Sequence, residues 1–299
     1  MKHITVLKDE GVQQLNLQAG SVVVDCTLGS GGHSRAILDK IGAKGTLIAL
    51  DVDEAAIKVG ESLKAEYKST IHLVNKNFRT LSAVLEALNL ESVDAILADL
   101  GWRTEQFASS EGEPRGFSFA ADEPLKMTFG NSSQYSFTAA DIVNDWAEED
   151  IANVIYGYGE DRAARRIARA IIEARQLDPI TTAKGLAAIV ESAVHVRGYS
   201  KIHPATKTFQ ALRIAVNDEF DALSELLFAS VDSLKPNGRL VVISFHSLED
   251  RIVKHTFRDF VHDHKCVLVH KKPITPLPEE LLSNPRSRSA KLRTIQKLP

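Results

Sequence analysis

The sequence of 299 residues is 44% hydrophobic and 25% charged, which is typical of a globular protein with enough chain to bury a large core. Its formal net charge of −3 excludes a basic field over the whole surface, so any nucleic-acid binding must use local basic patches. The two cysteines, Cys26 and Cys266, argue against a CxxC metal site or a disulfide framework, and we expect no bound metal. No apolar run has the length of a membrane span or the pattern of a secretion signal, so we expect a cytoplasmic protein without a membrane partner.

The first part of the chain alternates apolar runs with helix-like segments. Strands are predicted at 21–25, 46–51, 71–74 and 93–99, and helices at 33–41, 53–66 and 79–88. This alternation is typical of βαβ units with a parallel sheet. The strands are apolar throughout rather than at every second residue, which indicates burial on both faces of the sheet.

The alternation stops after residue 100. Loops are predicted at 101–137, helices within 138–197 and over 204–234, and a strand at 240–245, before a basic loop and a final strand. Because the α/β pattern resumes only near the end, the helical block is interpreted as an insertion into a doubly wound α/β domain. The predicted domains are therefore 1–105 with 204–299, and a mostly helical insertion at 106–203.

A glycine-rich turn, DCTLGSGGHS at residues 25–34, directly follows the first predicted strand. Glycine costs conformational entropy, so either a ligand approaches the backbone here or the turn needs a positive φ. Asp51 ends the second strand twenty residues after Gly31, the spacing at which an acidic side chain meets the ribose of a nucleotide-like cofactor. The pattern indicates a cofactor site, although a turn that binds nothing has the same appearance.

Two cofactors compete for this turn. The sequence GSGGHS lacks the third glycine of the dinucleotide fingerprint, and Asp25 at the strand end would repel a pyrophosphate. S-adenosylmethionine carries a sulfonium and an amino group, which suit Asp25 and the further carboxylate of Asp99 at the end of the fourth strand. These features favour S-adenosylmethionine, and an NAD-dependent dehydrogenase stays as the weaker alternative.

Long motifs follow the glycine turn in a fixed order. They are RGFSF (115–119), YGEDRAARRIARAI (158–171), HPATKTFQALRIAVNDE (203–219), LKPNGRLVVISFHSLEDRIVK (234–254) and NPRSRSAKLR (284–293). Over essentially the whole chain the sequence resembles the MraW/RsmH family of bacterial 16S ribosomal RNA (cytosine-N4)-methyltransferases. The resemblance implies a class I (Rossmann-like) S-adenosylmethionine methyltransferase sheet with an inserted helical substrate-recognition domain. It further implies N4-methylation of a decoding-centre cytidine of the small ribosomal subunit during ribosome maturation, and it allows a homodimer.

The resemblance also implies which residues bind the cofactor. Together with Asp25 and Gly29 of the turn, they are Gly31, Gly32, His33, Asp51, Phe78, Asp99 and Gln106. Asp51 would hold the ribose and Phe78 would flank the adenine. Taken singly, Phe78 also fits a core aromatic, His33 a residue at a helix start, and Gln106 a solvated loop amide.

Two segments depart from the family pattern. The sequence after the fourth strand is DLGWRTEQ, so that Trp102, Arg103 and Thr104 replace Val-Ser-Ser, and in PLKMTF Lys126 replaces an aspartate. We expect these changes on the substrate side, because Asp99 and Gln106 are retained. The alternative to an active enzyme is therefore a catalytically impaired rRNA-binding or assembly factor of the same fold.

Methyl transfer to cytosine N4 needs an acceptor for the hydrogens of a weakly nucleophilic amine. Asp99 and His246 are the candidates for this catalytic role, since the run VVISFHSLED ends a strand at the same sheet edge. An alternative for Ser247 and Glu249 in that run is to cap the following helix.

RNA binding needs basic and aromatic groups. Arg162, Arg165, Arg166 and Arg169 are predicted to share one helix face, although such a stripe is more often simply solvated. A target cytosine must be extruded from folded RNA, and Phe117, Phe119 or Trp102 could stack on it, with core packing as the alternative for the two phenylalanines. The RNA-binding candidates are Trp102, Arg103, Arg162, Arg166, Arg169, Lys207, Arg286 and Arg288.

Overall fold

The computed structural model describes residues 4–101, 114–194 and 203–299. The chain divides into two compact units, one drawn from Met1–Trp102 and Phe220–Pro299 and the other from Arg103–Glu219. None of the described helices combines the length and the apolar character needed to cross a membrane.

The first unit is built around a seven-stranded sheet of order β3-β2-β1-β4-β5-β7-β6. Its strands are β1 Val22–Asp25, β2 Thr46–Asp51, β3 Thr70–Asn75, β4 Val93–Asp99, β5 Leu234–Ser244, β6 Cys266–Leu268 and β7 Lys291–Lys297. The first five strands pair in parallel, whereas β7 runs antiparallel between β5 and β6. The chain moves outward from β1 to β3 and returns to β4 on the other side of β1. Strand order therefore reverses between β1 and β4, where open α/β sheets bind their ligands.

Helices cover both faces of this sheet. They are α1 Lys8–Gln14, α2 Gly32–Ile41, α3 Glu54–Glu66, α4 Leu81–Ala87, α10 Glu219–Ser233, α11 Ser247–His262 and α12 Pro278–Ser283. On one face Val23 and Leu97 pack in a core that includes residues of α1, α2 and α3. On the other, Val24 and Ile96 pack in a core with α4, α10 and α11. Adjacent residues of one strand are thus buried on opposite faces, which explains the continuous apolar runs.

The second unit is mostly helical and has its own hydrophobic core. Its helices are α5 Ala139–Asp145, α6 Glu148–Gly159, α7 Ala164–Arg175, α8 Ala183–Ala193 and α9 Thr206–Asn217. Ile142, Ile155, Ile167 and Leu186 are among the residues fully buried in that core. The side chain of Asn217 accepts a hydrogen bond from Phe129 N and donates to the carbonyl oxygen of Met127, which ties the loop before α5 to α9.

The predicted helix over 204–234 is two helices. Asp218 adopts a left-handed φ of 49° after α9, and α10 starts at Glu219. Phe209 and Leu212 of α9 are buried in the helical core, so residues 204–219 belong to the second unit, whereas the sequence had assigned them to the α/β domain. Helix α1 and strand β6 were not predicted, because each is short and carries a weak pattern.

Candidate functional site

Three carboxylates end neighbouring strands at one edge of the sheet. Asp25 ends β1, Asp51 ends β2 and Asp99 ends β4. The strands are parallel neighbours, so these ends lie together beside the point where strand order reverses. The sequence predicted this grouping.

Asp25 holds the glycine turn from inside. Its side chain is fully buried and accepts hydrogen bonds from Ser34 Oγ at 2.6 Å and from Thr27 N at 3.1 Å. Burial raises the pKa of this carboxyl to about 6, against the opposing effect of the bonds from Ser34 and Thr27. Asp25 therefore positions the turn from a buried site, and the cofactor contact expected for it stays a prediction.

Asp51 links the glycine turn to the end of β2. Its Oδ2 accepts a hydrogen bond from Gly29 N at 2.9 Å, and its Oδ1 accepts one from Asp53 N at 2.9 Å. The carboxylate is partly exposed, in contrast to Asp25. Asp51 thus shapes the turn and still presents an acidic surface at the edge.

The glycines of the turn serve different purposes. Gly29 and Gly31 have φ values of 53° and 77°, in the left-handed region that favours glycine. Gly32 begins α2, and a Cβ there would overlap the hydroxyl of Thr5 and approach its Cβ to 2.9 Å. The N-terminal segment therefore accounts for the absence of a side chain at residue 32, and the cofactor contact expected for Gly32 stays a prediction.

We expect Gly32→Ala to destabilise the protein by about 1–3 kcal/mol, because the new methyl group overpacks against Thr5. Adding Thr5→Gly removes the obstructing side chain, so the double variant should recover most of the loss relative to Thr5→Gly alone. Denaturant unfolding of the four proteins gives this coupling. Purely additive losses would show that the Thr5 contact is not the reason for the glycine.

Asp99 presents an unsatisfied acceptor at the edge. Its backbone N donates to Thr27 Oγ1 at 2.8 Å, whereas its Oδ1 is buried and has no hydrogen-bond partner among residues 4–101, 114–194 and 203–299. Burial raises the pKa of this carboxyl well above its usual value, and the charges of Asp25, Glu249 and Glu280 raise it further. A buried acceptor of this kind is costly unless a donor reaches it.

His33 lies against Asp99 in the interior of the unit. The ring is 4% exposed, and its Nδ1 is 3.6 Å from Asp99 Oδ2. A Cβ on Gly11 of α1 would be 3.3 Å from His33 Nε2, so the ring fills the space beside that helix. The His33 ring is thus a buried neighbour of Asp99, and a direct cofactor contact by its side chain stays a prediction.

His246 caps helix α11. Its Nδ1 accepts from Glu249 N at 3.4 Å, and Glu249 Oε2 accepts from the backbone N of Phe245 at 2.9 Å and of His246 at 3.3 Å. Glu249 thus caps the helix, as the alternative interpretation stated. Its partner in the cap is His246 rather than Ser247. The structure gives His246 a structural role, and its catalytic role stays a prediction.

The remaining cofactor candidates differ in what the structure describes. Phe78 begins a short 3₁₀ helix, Phe78–Thr80, after β3, and its partly buried ring packs against the core that contains Val84. This agrees with the core-aromatic alternative and leaves part of the ring accessible. Gln106 lies outside the described residues, as do Trp102, Arg103 and Thr104.

The basic RNA-binding candidates are mostly exposed. Arg165, Arg166 and Arg169 project from α7, whereas Arg162 lies in the turn before the helix and not on its face as predicted. Lys207 donates from Nζ to the carbonyl oxygen of Glu160 at 3.0 Å. Arg286 and Arg288 are exposed in the 3₁₀ helix Pro285–Ser289 of the sheet-containing unit.

Two aromatic candidates pack within the helical unit. Phe117 is buried and stacks on Phe129 with ring centroids 5.7 Å apart. Phe119 stacks on His203 at 4.1 Å and meets Phe209 edge-on. These contacts fit the alternative interpretation, in which both phenylalanines pack in the core, better than they fit stacking on a base of the RNA.

The residues that hold the N-terminal segment beside the turn were not predicted from the sequence. Leu7 N donates to Glu280 Oε1 at 2.9 Å, and Asn284 Nδ2 donates to the carbonyl oxygen of Ile4 at 3.1 Å. Thr27 and Ser34 were likewise overlooked, although both lie inside the glycine turn. Their signal was the presence of hydroxyl residues next to a buried carboxylate, which needs donors.

Comparison with known sequences decides the family. The profile of the MraW methylase family matches residues 1–298. The chain belongs to the MraW methylase family. It is 43% identical to "Ribosomal RNA small subunit methyltransferase H" of Brevibacillus brevis, covering 99% of this chain and 98% of that protein. It is 45% identical to the protein of the same name from Wolbachia sp. subsp. Drosophila simulans, covering all of both chains. The solved rRNA methylase of Streptococcus thermophilus aligns over the whole of both chains, with 12% identity and a TM-score of 0.46.

The family confirms the fold class and the enzyme class predicted from the sequence: an S-adenosylmethionine-dependent methyltransferase with a doubly wound sheet. The residues present fit that cofactor. Gly29 and Gly31 bring bare backbone to the crevice, Asp51 offers a partly exposed carboxylate, and Asp99 offers a buried acceptor without a described partner. This donor-poor, acidic edge suits a cationic, amine-bearing cofactor better than the pyrophosphate of NAD.

Proposed function

We propose that this protein methylates N4 of a cytidine in 16S ribosomal RNA, at the decoding centre, during maturation of the small subunit in the cytoplasm. Its relatives at 43% and 45% identity are named for methylation of small-subunit ribosomal RNA. The cytidine, its N4 atom and its place in the subunit rest on the family resemblance of the sequence motifs. A homodimer has no support in the described chain and is not part of the proposal.

The observation that carries the proposal is the buried Oδ1 of Asp99, which has no described hydrogen-bond partner. The lone pair of an exocyclic cytosine amine is delocalised into the ring, so the amine is a weak nucleophile. S-adenosylmethionine, when bound, supplies an electrophilic methyl group. Asp99 Oδ1 would accept a hydrogen bond from the amine. This bond would orient the lone pair of the amine nitrogen and stabilise the positive charge that develops on that nitrogen.

The residues around Asp99 set its position rather than react. Thr27 Oγ1 receives the Asp99 backbone N–H, and the His33 ring lies 3.6 Å from the second carboxylate oxygen. The first contact holds the backbone of Asp99, and the second places the ring beside the oxygen other than Oδ1. After methyl transfer the nitrogen must lose one proton, which can pass to Asp99 or to water.

The helical unit is proposed to bind the RNA. Arg165, Arg166 and Arg169 are exposed along α7, opposite the buried Ile167 and Ile171. Guanidinium groups in such a row can contact successive phosphates of an RNA strand. The amphipathic pattern of α7 therefore gives one face to the core and leaves the other to a polyanion.

The proposal is tested in cells. Nucleosides from the 16S ribosomal RNA of a strain that lacks the gene should show no N4-methylated cytidine by mass spectrometry, and the wild-type gene should restore it. An unchanged amount of this nucleoside in the deletion strain would eliminate the proposed substrate.

Calorimetry separates the enzyme from its alternatives. S-adenosylmethionine and its demethylated product should bind, NAD should not, and Asp51→Ala should weaken binding by about tenfold or more because it removes the ribose acceptor and the Gly29 contact. Glu54→Ala is the matched control, since Glu54 is an exposed carboxylate at the start of α3. Binding of NAD alone would indicate a dehydrogenase, and tight cofactor binding without any methyl transfer would indicate an assembly factor.

A further inference from the structure

A basic cavity lies on the sheet-containing unit and shares no lining residue with the candidate site. It has a volume of about 260 Å³ between α11, the end of β6 and β7. Its described lining holds five basic side chains and no carboxylate: Lys254, Arg258, His270, Lys271 and Arg293. We name this feature the α11 cavity.

Few of these charges are neutralised nearby. Arg293 Nε lies 2.7 Å from Asp250 Oδ1, and this ion pair partly compensates the positive charge of Arg293. Within residues 4–101, 114–194 and 203–299, Lys254, Arg258 and Lys271 have no ion pair with a carboxylate. Like charges in a concave site repel one another and concentrate the field, so the α11 cavity attracts an anion. This contrasts with the whole chain, whose net charge is −3.

The position of the α11 cavity indicates which anion it binds. Helix α11 starts at the sheet edge, where its first-turn residue Glu249 interacts electrostatically with Asp99. Lys254 follows the capping residue His246 by eight positions, which places it about 12 Å along the helix axis. If a base of an RNA strand reaches Asp99, the neighbouring nucleotides of that strand extend beyond about 12 Å from it. Each of these nucleotides carries a negative phosphate.

We propose that the α11 cavity binds the phosphodiester backbone of the RNA substrate next to the target nucleotide. This inference rests on the proposed function for the identity of the polymer. Arg258 and Lys271 are the exposed side chains that contact phosphate, and Arg293 forms the inner wall. The methyltransferase unit thus contributes its own RNA contacts, separate from the arginines of α7.

The test compares two double variants that each remove two positive charges. Arg258→Gln/Lys271→Gln alters the α11 cavity. Lys44→Gln/Lys68→Gln alters two exposed lysines in the loops before β2 and β3, at the end of the sheet opposite to the glycine turn. Affinity for transcribed 16S ribosomal RNA is measured over a range of salt concentrations, with melting temperature and S-adenosylmethionine affinity as checks on folding.

We expect the cavity variant to bind the RNA roughly an order of magnitude more weakly and to reduce the slope of log affinity against log salt by about 1.4, as two lost phosphate contacts require. The control should keep the wild-type slope. If the two variants have equal slopes of log affinity against log salt, while the wild type binds and methylates RNA, this inference is wrong and the proposed function still stands. A reduced slope in a protein that makes no N4-methylcytidine would support the cavity and overturn the proposed function.

Discussion

Replacing Asp99 with alanine should lower single-turnover methyl transfer by about 10²–10⁴-fold at saturating S-adenosylmethionine, because the amine of the target loses the group that accepts its hydrogen. Asp99→Asn keeps an oxygen acceptor at the same place and should retain more activity than the alanine variant. Burial and the surrounding carboxylates raise the pKa of Asp99, so the wild-type rate should rise with pH as this carboxyl ionises. The asparagine variant should lack that rise.

The matched measurement is cofactor affinity together with melting temperature for both Asp99 variants. Saturating cofactor separates a catalytic effect from a loss of cofactor affinity. This separation is needed because the family resemblance also implies that Asp99 contacts the cofactor. A rate within tenfold of the wild type for Asp99→Ala would exclude Asp99 as the acceptor and direct attention to His246.

Asp25→Asn should make the protein more stable, relative to the wild type, as the pH rises from about 4 to about 7. The folded-state pKa of Asp25, about 6, lies above the ordinary value of 3.8, so the folded protein holds a proton that the unfolded chain releases. The contribution of Asp25 to the free energy of unfolding of the wild type is fully present below about pH 4 and is lost as the pH rises through about 6. A shift of about two pH units corresponds to about 3 kcal/mol.

Asparagine can keep both native contacts of Asp25, accepting from Thr27 N and donating to Ser34 Oγ. Urea unfolding at several pH values gives the difference between the two proteins, with Glu54→Gln as a control at an exposed carboxyl of the same sheet edge. A difference that stays constant from pH 4 to pH 7 would contradict the buried, protonated state of Asp25.

The sequence predicted the sheet well where its strands are buried on both faces. β2 and β4 match their predicted bounds, and the acidic residues that end them, Asp51 and Asp99, lie at the predicted edge. Long apolar runs and the conformational demands of Gly29 and Gly31 are local properties of the chain, so they can be inferred without coordinates. The family resemblance added the enzyme class, which local patterns leave open.

Tertiary contacts decided the features that the sequence did not give. The sequence places Asp25 at the end of a strand, but only the structure shows that its carboxyl is buried and accepts a hydrogen bond from Ser34 Oγ. The side chain of Thr5 occupies the space beside Gly32, and because Thr5 is distant in sequence, this packing could not be inferred from the glycine turn. The end of α9 at Asp218 depends on one left-handed residue within an otherwise helical pattern.

The most direct test of the account is methyl transfer by the purified protein to small subunits isolated from the deletion strain. With labelled S-adenosylmethionine, digestion of the 16S ribosomal RNA and mass spectrometry should find the label in N4-methylated cytidine, and Asp99→Ala should give almost none. Label in a different nucleoside, or none with a protein that binds both cofactor and RNA, would contradict the account.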